Sequence, residues 1–263
     1  FLDLNGRRSD AHVRLDSVDL EKIARRFDLG RLELRGTVSA EVDFQGSVQA
    51  PILDTAGRVE GFQIAGVSFE TLQWDVNVEE DGPGASVLVA DLAVESEGNG
   101  RAHLMARGRV PARNPLRALP EAYWDAELTT QEFRVGLLPE VIDGLPALDG
   151  RVDTRITLDG TLESPERLAV DIDGRELAIP GFTTVGGEID AELTGDDLKL
   201  GVRVLYPTDE LLVGVETQVS SFDLMDVIAS DAPLAFLDDP WSVEIDIPQR
   251  PLSQFPDPIG FPA

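Results

Sequence analysis

One pattern of alternating apolar and polar residues occurs twice in this chain at a fixed spacing, and few folds tolerate that. Leu34-Arg35-Gly36 opens a run that continues through Val38, Ala40, Val42 and Phe44 to Gly46 and Pro51. Leu148-Asp149-Gly150 opens a second, through Val152, Thr154, Ile156 and Leu158 to Gly160 and Pro165. The offset is 114 throughout: 148 − 34, 150 − 36, 160 − 46 and 165 − 51. After a one-residue insertion it becomes 115, and Phe62, Ile64 and Gly66 match Leu177, Ile179 and Gly181. Trp74, Val76 and Val78 then match Ile189, Ala191 and Leu193. Repetition at fixed spacing predicts stacked supersecondary units and a long continuous surface in place of one enclosed pocket.

Period-2 alternation is the mark of strands with one buried face. It recurs at Val76/Val78, Leu104/Ala106, Trp124/Ala126/Leu128, Leu168/Val170/Ile172 and Ile189/Ala191/Leu193. It continues at Leu198/Leu200/Val202/Val204, Leu211/Val213/Val215/Val219 and Trp241/Val243/Ile245/Ile247. The residues between are mostly polar, which predicts antiparallel sheet with one wet face. Turns are expected at Asp81-Gly82-Pro83-Gly84, Gly98-Asn99-Gly100, Gly186-Gly187 and Gly195-Asp196-Asp197. A loop is expected from Pro111 to Pro120, and the tail with Pro248, Pro251, Pro256, Pro258 and Pro262 is expected at an edge or extended end.

Each copy follows a helical-looking segment. Leu20, Ile23 and Phe27 share a helix face behind a predicted N-cap, Asp19, and Val135, Leu138 and Ile142 repeat them at an offset of 115. A third such segment starts at Phe222-Asp223-Leu224, with Val227 and Ile228 on its apolar side. The resulting organisation is the end of a preceding unit at 1–17, a first repeat at 18–132, a second at 133–221, and the start of a third with a proline-rich tail at 222–263. Phe1 opens in mid-pattern with no signal peptide, as a piece of a longer protein does.

Composition excludes several functions. Of 263 residues, 42% are hydrophobic, enough for a core, while 49 acidic against 22 basic residues give a net charge of −27. That sign opposes binding to nucleic acid or to an anionic membrane surface. The absence of cysteine removes disulfides, thiolate nucleophiles and cysteine-based zinc sites. The two histidines, His12 and His103, fall in separate strand segments and read as surface or packing residues. Asp196-Asp197 and Asp238-Asp239 lack the spacing of a calcium loop. Trp74, Trp124 and Trp241 read as apolar-face residues near sheet margins. Neither a catalytic motif nor a cofactor or metal site is expected, and the chain reads as a non-enzyme.

The recurring phrase of a Gly-led strand, a second Gly, a short gap and a Pro resembles the TamB-type translocation and assembly module family, within the AsmA-like superfamily. It runs here from Gly36 to Pro51 and from Gly150 to Pro165, the latter ending LDGTLESP, with an amphipathic helix before each phrase. The resemblance covers about residues 11 to 247. It implies an all-β fold, a repeat-built antiparallel sheet curled into an elongated open groove (a β-taco, or repeating β-groove) with short capping helices. It also implies the periplasmic portion of an inner-membrane-anchored envelope protein that carries phospholipid between the two membranes. The implied partners are phospholipid acyl chains and, through parts of the parent protein outside this stretch, an Omp85-type outer-membrane barrel.

Alternation alone favours a sandwich or barrel with a dry core; the repeat and the resemblance turn the expectation to an open groove. An uncovered aliphatic wall holds hydrocarbon without specific contacts, at roughly 25 cal/mol per Å². Its expected lining is Val38, Ala40, Val42, Phe44, Val76, Val78, Leu104, Ala106, Ala126 and Leu128 in the first repeat. In the second it is Val152, Ile156, Leu158, Val170, Ile172, Ile189, Ala191, Leu193, Leu200, Val202, Val204, Val213 and Val215, with Val243 and Ile245 beyond. Roughly eight strands per unit, about 4.8 Å apart, would extend the groove by nearly 40 Å. Two other readings remain at this point: a periplasmic chaperone groove for outer-membrane protein insertion, and a structural or calcium-binding surface β-repeat protein with a dry core.

Overall fold

The computed structural model describes residues 9–26, 33–47, 50–64, 67–82, 84–111, 119, 122–137, 149–162, 164–178, 185–206, 210–220, 222 and 241–248. The chain is all-β and antiparallel, as the alternation predicts. The strands are β1 (Ser9–Asp19), β2 (Arg35–Ser47), β3 (Ala50–Ile64), β4 (Val67–Ser68), β5 (Thr71–Glu80), β6 (Ala85–Ser96) and β7 (Gly100–Pro111). They continue with β8 (Tyr123–Arg134), β9 (Asp149–Gly160), β10 (Pro165–Ala178), β11 (Val185–Thr194), β12 (Asp197–Leu205), β13 (Leu211–Ser220) and β14 (Trp241–Asp246). Hydrogen-bonded order follows chain order from β1 to β14, with β4 a short appendage on β3. The sheet is a meander with β1 and β14 at its two ends.

The chain divides into two compact units, Phe1–Thr130 with Thr157–Glu166, and Gln131–Ile156 with Arg167–Ala263. These are not the sequence repeats. The β9–β10 hairpin tip, 157–166, groups with the first unit although its sequence belongs to the second repeat.

In the first unit, helix α1 (Leu20–Arg26) is N-capped as expected, Asp19 Oδ1 accepting the Glu21 N–H at 2.9 Å. Glu21 and Arg25 pair one turn apart along it. Leu20 and Ile23 pack on a core of Val38, Ala40, Val59 and Phe62, and Ala24 is buried. At seven residues α1 has little stability of its own, so this contact holds it. Phe27 lies outside the described residues.

In the second unit, the described part of the segment at Val135 is a 3-10 turn, Val135–Leu137, with Val135 buried; Leu138 and Ile142 lie outside the described residues. The third segment contributes Phe222, which packs on Leu193 and Val219 and donates its N–H to Asp196 O at 2.8 Å. Residues 223–240, the stretch 112–118 where a loop is expected, and residues from 249 onward also lie outside the described residues.

The repeat is written into the backbone as well as the letters. Left-handed φ recurs at Ser17 (52°) and Glu132 (51°), and at Gly61 (61°) and Glu176 (52°), each pair 115 residues apart (132 − 17, 176 − 61). Gly36 (134°) and Gly150 (128°), and Gly46 (93°) and Gly160 (122°), recur 114 apart. At Ser17 the β1–β2 register slips, so that Leu15 pairs with Ala40 but Val18 with Val38; the bulge keeps both apolar residues on one face. The same latch closes both copies: the Ser17 N–H is accepted by Ser39 Oγ (3.3 Å), and the Glu132 N–H by Asp153 Oδ1 (2.7 Å).

Three expectations need correction. Gly186-Gly187 is not a turn; both residues lie inside β11, where Gly187 pairs with Gly174. The strand count differs from eight per unit: among the described residues, 18–132 hold β2 to β8, counting two-residue β4, and 133–221 hold β9 to β13. The strands are longer than alternation alone marks out, β3 reaching 15 residues. Trp74 is not marginal either. It sits mid-strand in β5, its indole over Gly57 of β3.

Candidate functional site

Antiparallel register turns the alternation of single strands into rows that cross them, because directly paired residues point to the same face. In the first unit Ala11, Phe44, Leu53, Val78, Leu88 and Gly108 form one such row across β1, β2, β3, β5, β6 and β7. Val13, Val42, Thr55, Val76, Ala90 and Ala106 form the next. Leu15, Ala40, Gly57, Trp74, Leu92 and Leu104 form the third, and Val18, Val38, Val59, Leu72, Val94 and Ala102 the fourth. Each row spans six strands, about 24 Å, and none of the four contains a charged residue.

Burial along these rows is uneven. Val38 and Val59, under α1, are 4% and 2% exposed, and Val78 and Leu88 at the opposite strand ends are 1% and 8% exposed. Between them Val42, Thr55, Val76, Ala90 and Ala106 are all half-buried. The apolar face is therefore covered at both strand ends and least covered along its middle row. That row is lined by small side chains, with one hydroxyl, Thr55, which accepts the Trp74 indole N–H at 3.3 Å.

The second unit repeats the device. Leu168, Leu193, Leu198 and Val219 form a row across β10 to β13, sealed by Phe222. Val170, Ala191, Leu200, Thr217 and Val243 form the next, and Ile172, Ile189, Val202, Val215 and Ile245 a third, both reaching β14. All are half-buried up to β13, whereas Val243 and Ile245 on the last strand are 40% and 62% exposed. No protein-family model, curated protein or solved structure matches this chain.

The other face is acidic and wet. Acids stand directly opposite acids at Asp43/Asp54, Asp75/Asp91, Asp171/Asp190, Asp173/Glu188 and Glu216/Glu244. Like charges so placed are destabilising, and arginines relieve part of the repulsion. Arg175 bridges Glu132 (3.3 Å), Asp153 (3.2 Å) and Asp173 (3.7 Å), and Arg203 bonds Glu188 at 3.1 Å. Both histidines sit on this face beside an aspartate, His12 on Asp43 at 2.8 Å and His103 on Asp91 at 2.7 Å. The Tyr123 phenol is held well above its ordinary range, first by hydrogen bonding to Asp159, then by desolvation and by its bond to Glu166 at 3.2 Å. No helix among the described residues is long and apolar enough to cross a membrane.

Of the residues expected to line a groove, Val38, Ala40, Val42, Phe44, Val76, Val78, Leu104 and Ala106 fall in the four rows of the first unit. Val170, Ile172, Ile189, Ala191, Leu193, Leu200, Val202 and Val215 fall in the three rows of the second. Val204 and Val213 are cross-strand partners beside those three rows. Ala126, Leu128, Val152, Ile156 and Leu158 are half-buried on β8 and β9. Sequence reasoning missed Leu53, Thr55, Gly57 and Val59 on β3, and Leu88, Ala90, Leu92 and Val94 on β6. In β3 the alternation is broken by Ile52 and Ala56 on the polar face and by Gly57 on the apolar one. In β6 the run Val87-Leu88-Val89-Ala90 is apolar on both faces. The signal that finds them is pairing with neighbours, not the strand's own letters.

Proposed function

We propose that this chain is part of a TamB-type, AsmA-like envelope protein, and that its apolar rows conduct phospholipid acyl chains between inner and outer membranes in support of outer-membrane assembly. The observation that carries this reading is the middle row of the first unit: uncharged, continuous over six strands, half-buried from β2 to β7 and exposed at Val13 on β1, while the buried residues Val38, Val59, Val78 and Leu88 lie toward the strand ends. A hydrocarbon chain lying along it gains burial without meeting a deep well, since aliphatic contact is non-directional. The acidic opposite face keeps so apolar a surface in solution. In this role the chain catalyses no reaction. It works in the periplasm and leaves contact with an Omp85-type barrel to other parts of the parent protein.

The exposure of Val243 and Ile245 on β14 favours a second reading, a chaperone surface on which an unfolded outer-membrane strand pairs along the sheet edge. Mass spectrometry of the purified chain separates the two, extracting phospholipid in one case and polypeptide in the other. Val42→Asp places a charge in the middle row at a half-buried position, where water still reaches it. Lipid recovered with this variant falls to a small fraction of wild type while the melting temperature changes little. Undiminished lipid would show that the row is not the path.

A further inference from the structure

One strand of the wet face runs against the charge of the rest. Between Glu97 and Glu121 the chain has five arginines and no acidic residue, although acids outnumber bases 49 to 22 overall. Three of the five lie on β7. Alternation puts Arg101, His103, Met105, Arg107 and Arg109 together on the wet face, on the far side from Ala102, Leu104, Ala106 and Gly108 of the apolar rows. The stripe they form is about 27 Å long. Its neighbours on β6 do not neutralise its far end: Arg107 is paired with Val89, and Arg109 with Val87. Val89 is 41% exposed and Met105 45%. Arg107 makes no ion pair among the described residues. Arg109 reaches Asp81 at 3.2 Å, but both side chains are about half exposed or more, and such pairs contribute little.

The second unit does not repeat this stripe, so the fold does not require it. Val78, Leu88 and Gly108 are paired in turn across β5, β6 and β7, and Leu193, Leu198 and Val219 hold the same places across β11, β12 and β13. In that register the wet-face pairs Val87/Arg109, Val89/Arg107 and Asp91/Met105 become Asp197/Ser220, Lys199/Gln218 and Gly201/Glu216. Arginine and exposed aliphatic side chains therefore stand one strand spacing apart, about 4.8 Å, at one place on β6 and β7. Carboxylates border that place: Asp91 is paired with Met105, Glu95 with Arg101, and Glu79 lies beyond Val87. A bilayer or a nucleic-acid duplex is far wider than one strand and would meet those carboxylates. A single polypeptide segment fits within the stripe.

We propose that this stripe docks an acidic, amphipathic segment of a partner protein. Its carboxylates meet Arg107 and Arg109 in charge-assisted hydrogen bonds, and its apolar side chains cover Val87, Val89 and Met105. Lipid carriage uses the opposite face of the sheet, so the two readings stand or fall separately.

The test is fluorescence anisotropy of the purified chain with a labelled peptide of alternating glutamate and leucine, about ten residues long so as to span the stripe. A peptide of alternating glutamate and serine, an oligothymidylate and phosphatidylglycerol vesicles serve as comparison ligands. The expected result is saturable binding of the glutamate–leucine peptide, weakened by salt, with the other three at least about tenfold weaker. Arg107→Gln loses about tenfold, the scale of one charge-assisted hydrogen bond. Gln218→Glu changes the net charge equally, at the corresponding place on β13, and loses nothing. Unchanged melting temperatures establish that both variants are folded. Equal loss in the two variants assigns the effect to overall charge and overturns the stripe. Glutamate–serine binding as tight as glutamate–leucine overturns the amphipathic partner. Tighter binding of oligothymidylate or vesicles replaces the peptide with another polyanion, and no binding of the glutamate–leucine peptide overturns the docking surface itself.

Discussion

Gly57 shows how closely this apolar face is fitted. A Cβ there would fall 2.3 Å from Cζ2 of Trp74 and 2.8 Å from the Ala40 Cβ, so the indole lies flat across β3 only because position 57 carries no side chain. Gly108 gives Trp124 the same space, at 2.5 Å. Large rings thereby add area to the face without standing proud of it. Gly57→Ala should destabilise the protein by about 1–3 kcal/mol through overpacking and shift Trp74 emission to the red, measured together in a urea titration. A neutral Gly57→Ala would mean that the indole has another resting place. The glycines also explain why these positions were illegible in the sequence. A glycine in an alternating run reads as a break in the strand, and its purpose becomes visible only when the tryptophan of the next strand is placed opposite it. The hydrophobic letters around it, Val38, Ala40, Val42 and Phe44, needed no such help, because each declares its face by its own period.

Among the elements, the bulged strands set the register on which every row depends. Ser17, Glu132 and Glu176 hold left-handed φ without being glycine, and an L-residue there costs about 1–2 kcal/mol. Their recurrence at the repeat offset shows that the kink belongs to the unit's design. Gly61 is the residue that the first copy places where the second has Glu176. Glu176→Gly should accordingly stabilise the chain by up to about 1 kcal/mol, part of the strain relief being offset by the entropy glycine loses on folding. Glu176→Ala should give no such gain, and chemical denaturation of the two variants side by side decides the point. A gain in the alanine variant as well would place the effect in the side chain and not in the backbone. The meander and most strand positions were readable from alternation and Asp-Gly or Asn-Gly turns. The bulges were not, since Ser and Glu carry no letter-level sign of positive φ.

For the molecule as a whole, the electrostatic balance and the repeat belong to one design. A net charge of −27 and acids placed opposite acids on the wet face mean that folding works against self-repulsion. Added salt screens it, the Debye length falling from about 30 Å at 0.01 M to about 3 Å at 1 M. The melting temperature should rise by about 5 °C or more between low salt and 1 M sodium chloride, equivalent to ~1–2 kcal/mol for a chain of this size. A flat or falling curve would mean that the arginine bridges already neutralise the wet face. Fold class and repeat were legible at this scale because they are written in period and offset. Which residues stay uncovered was not, because burial along a row depends on what packs over it, as α1 does on Val38 and Val59 and Phe222 on Leu193 and Val219. The central claim is that the middle apolar row takes hydrocarbon, and Trp74 stands in the row beside it. A variant keeping only that tryptophan (Trp124→Phe with Trp241→Phe) should lose most of its emission when loaded with phospholipid brominated on the acyl chain, and lose none with the unbrominated lipid. Equal emission with the two lipids would contradict the account.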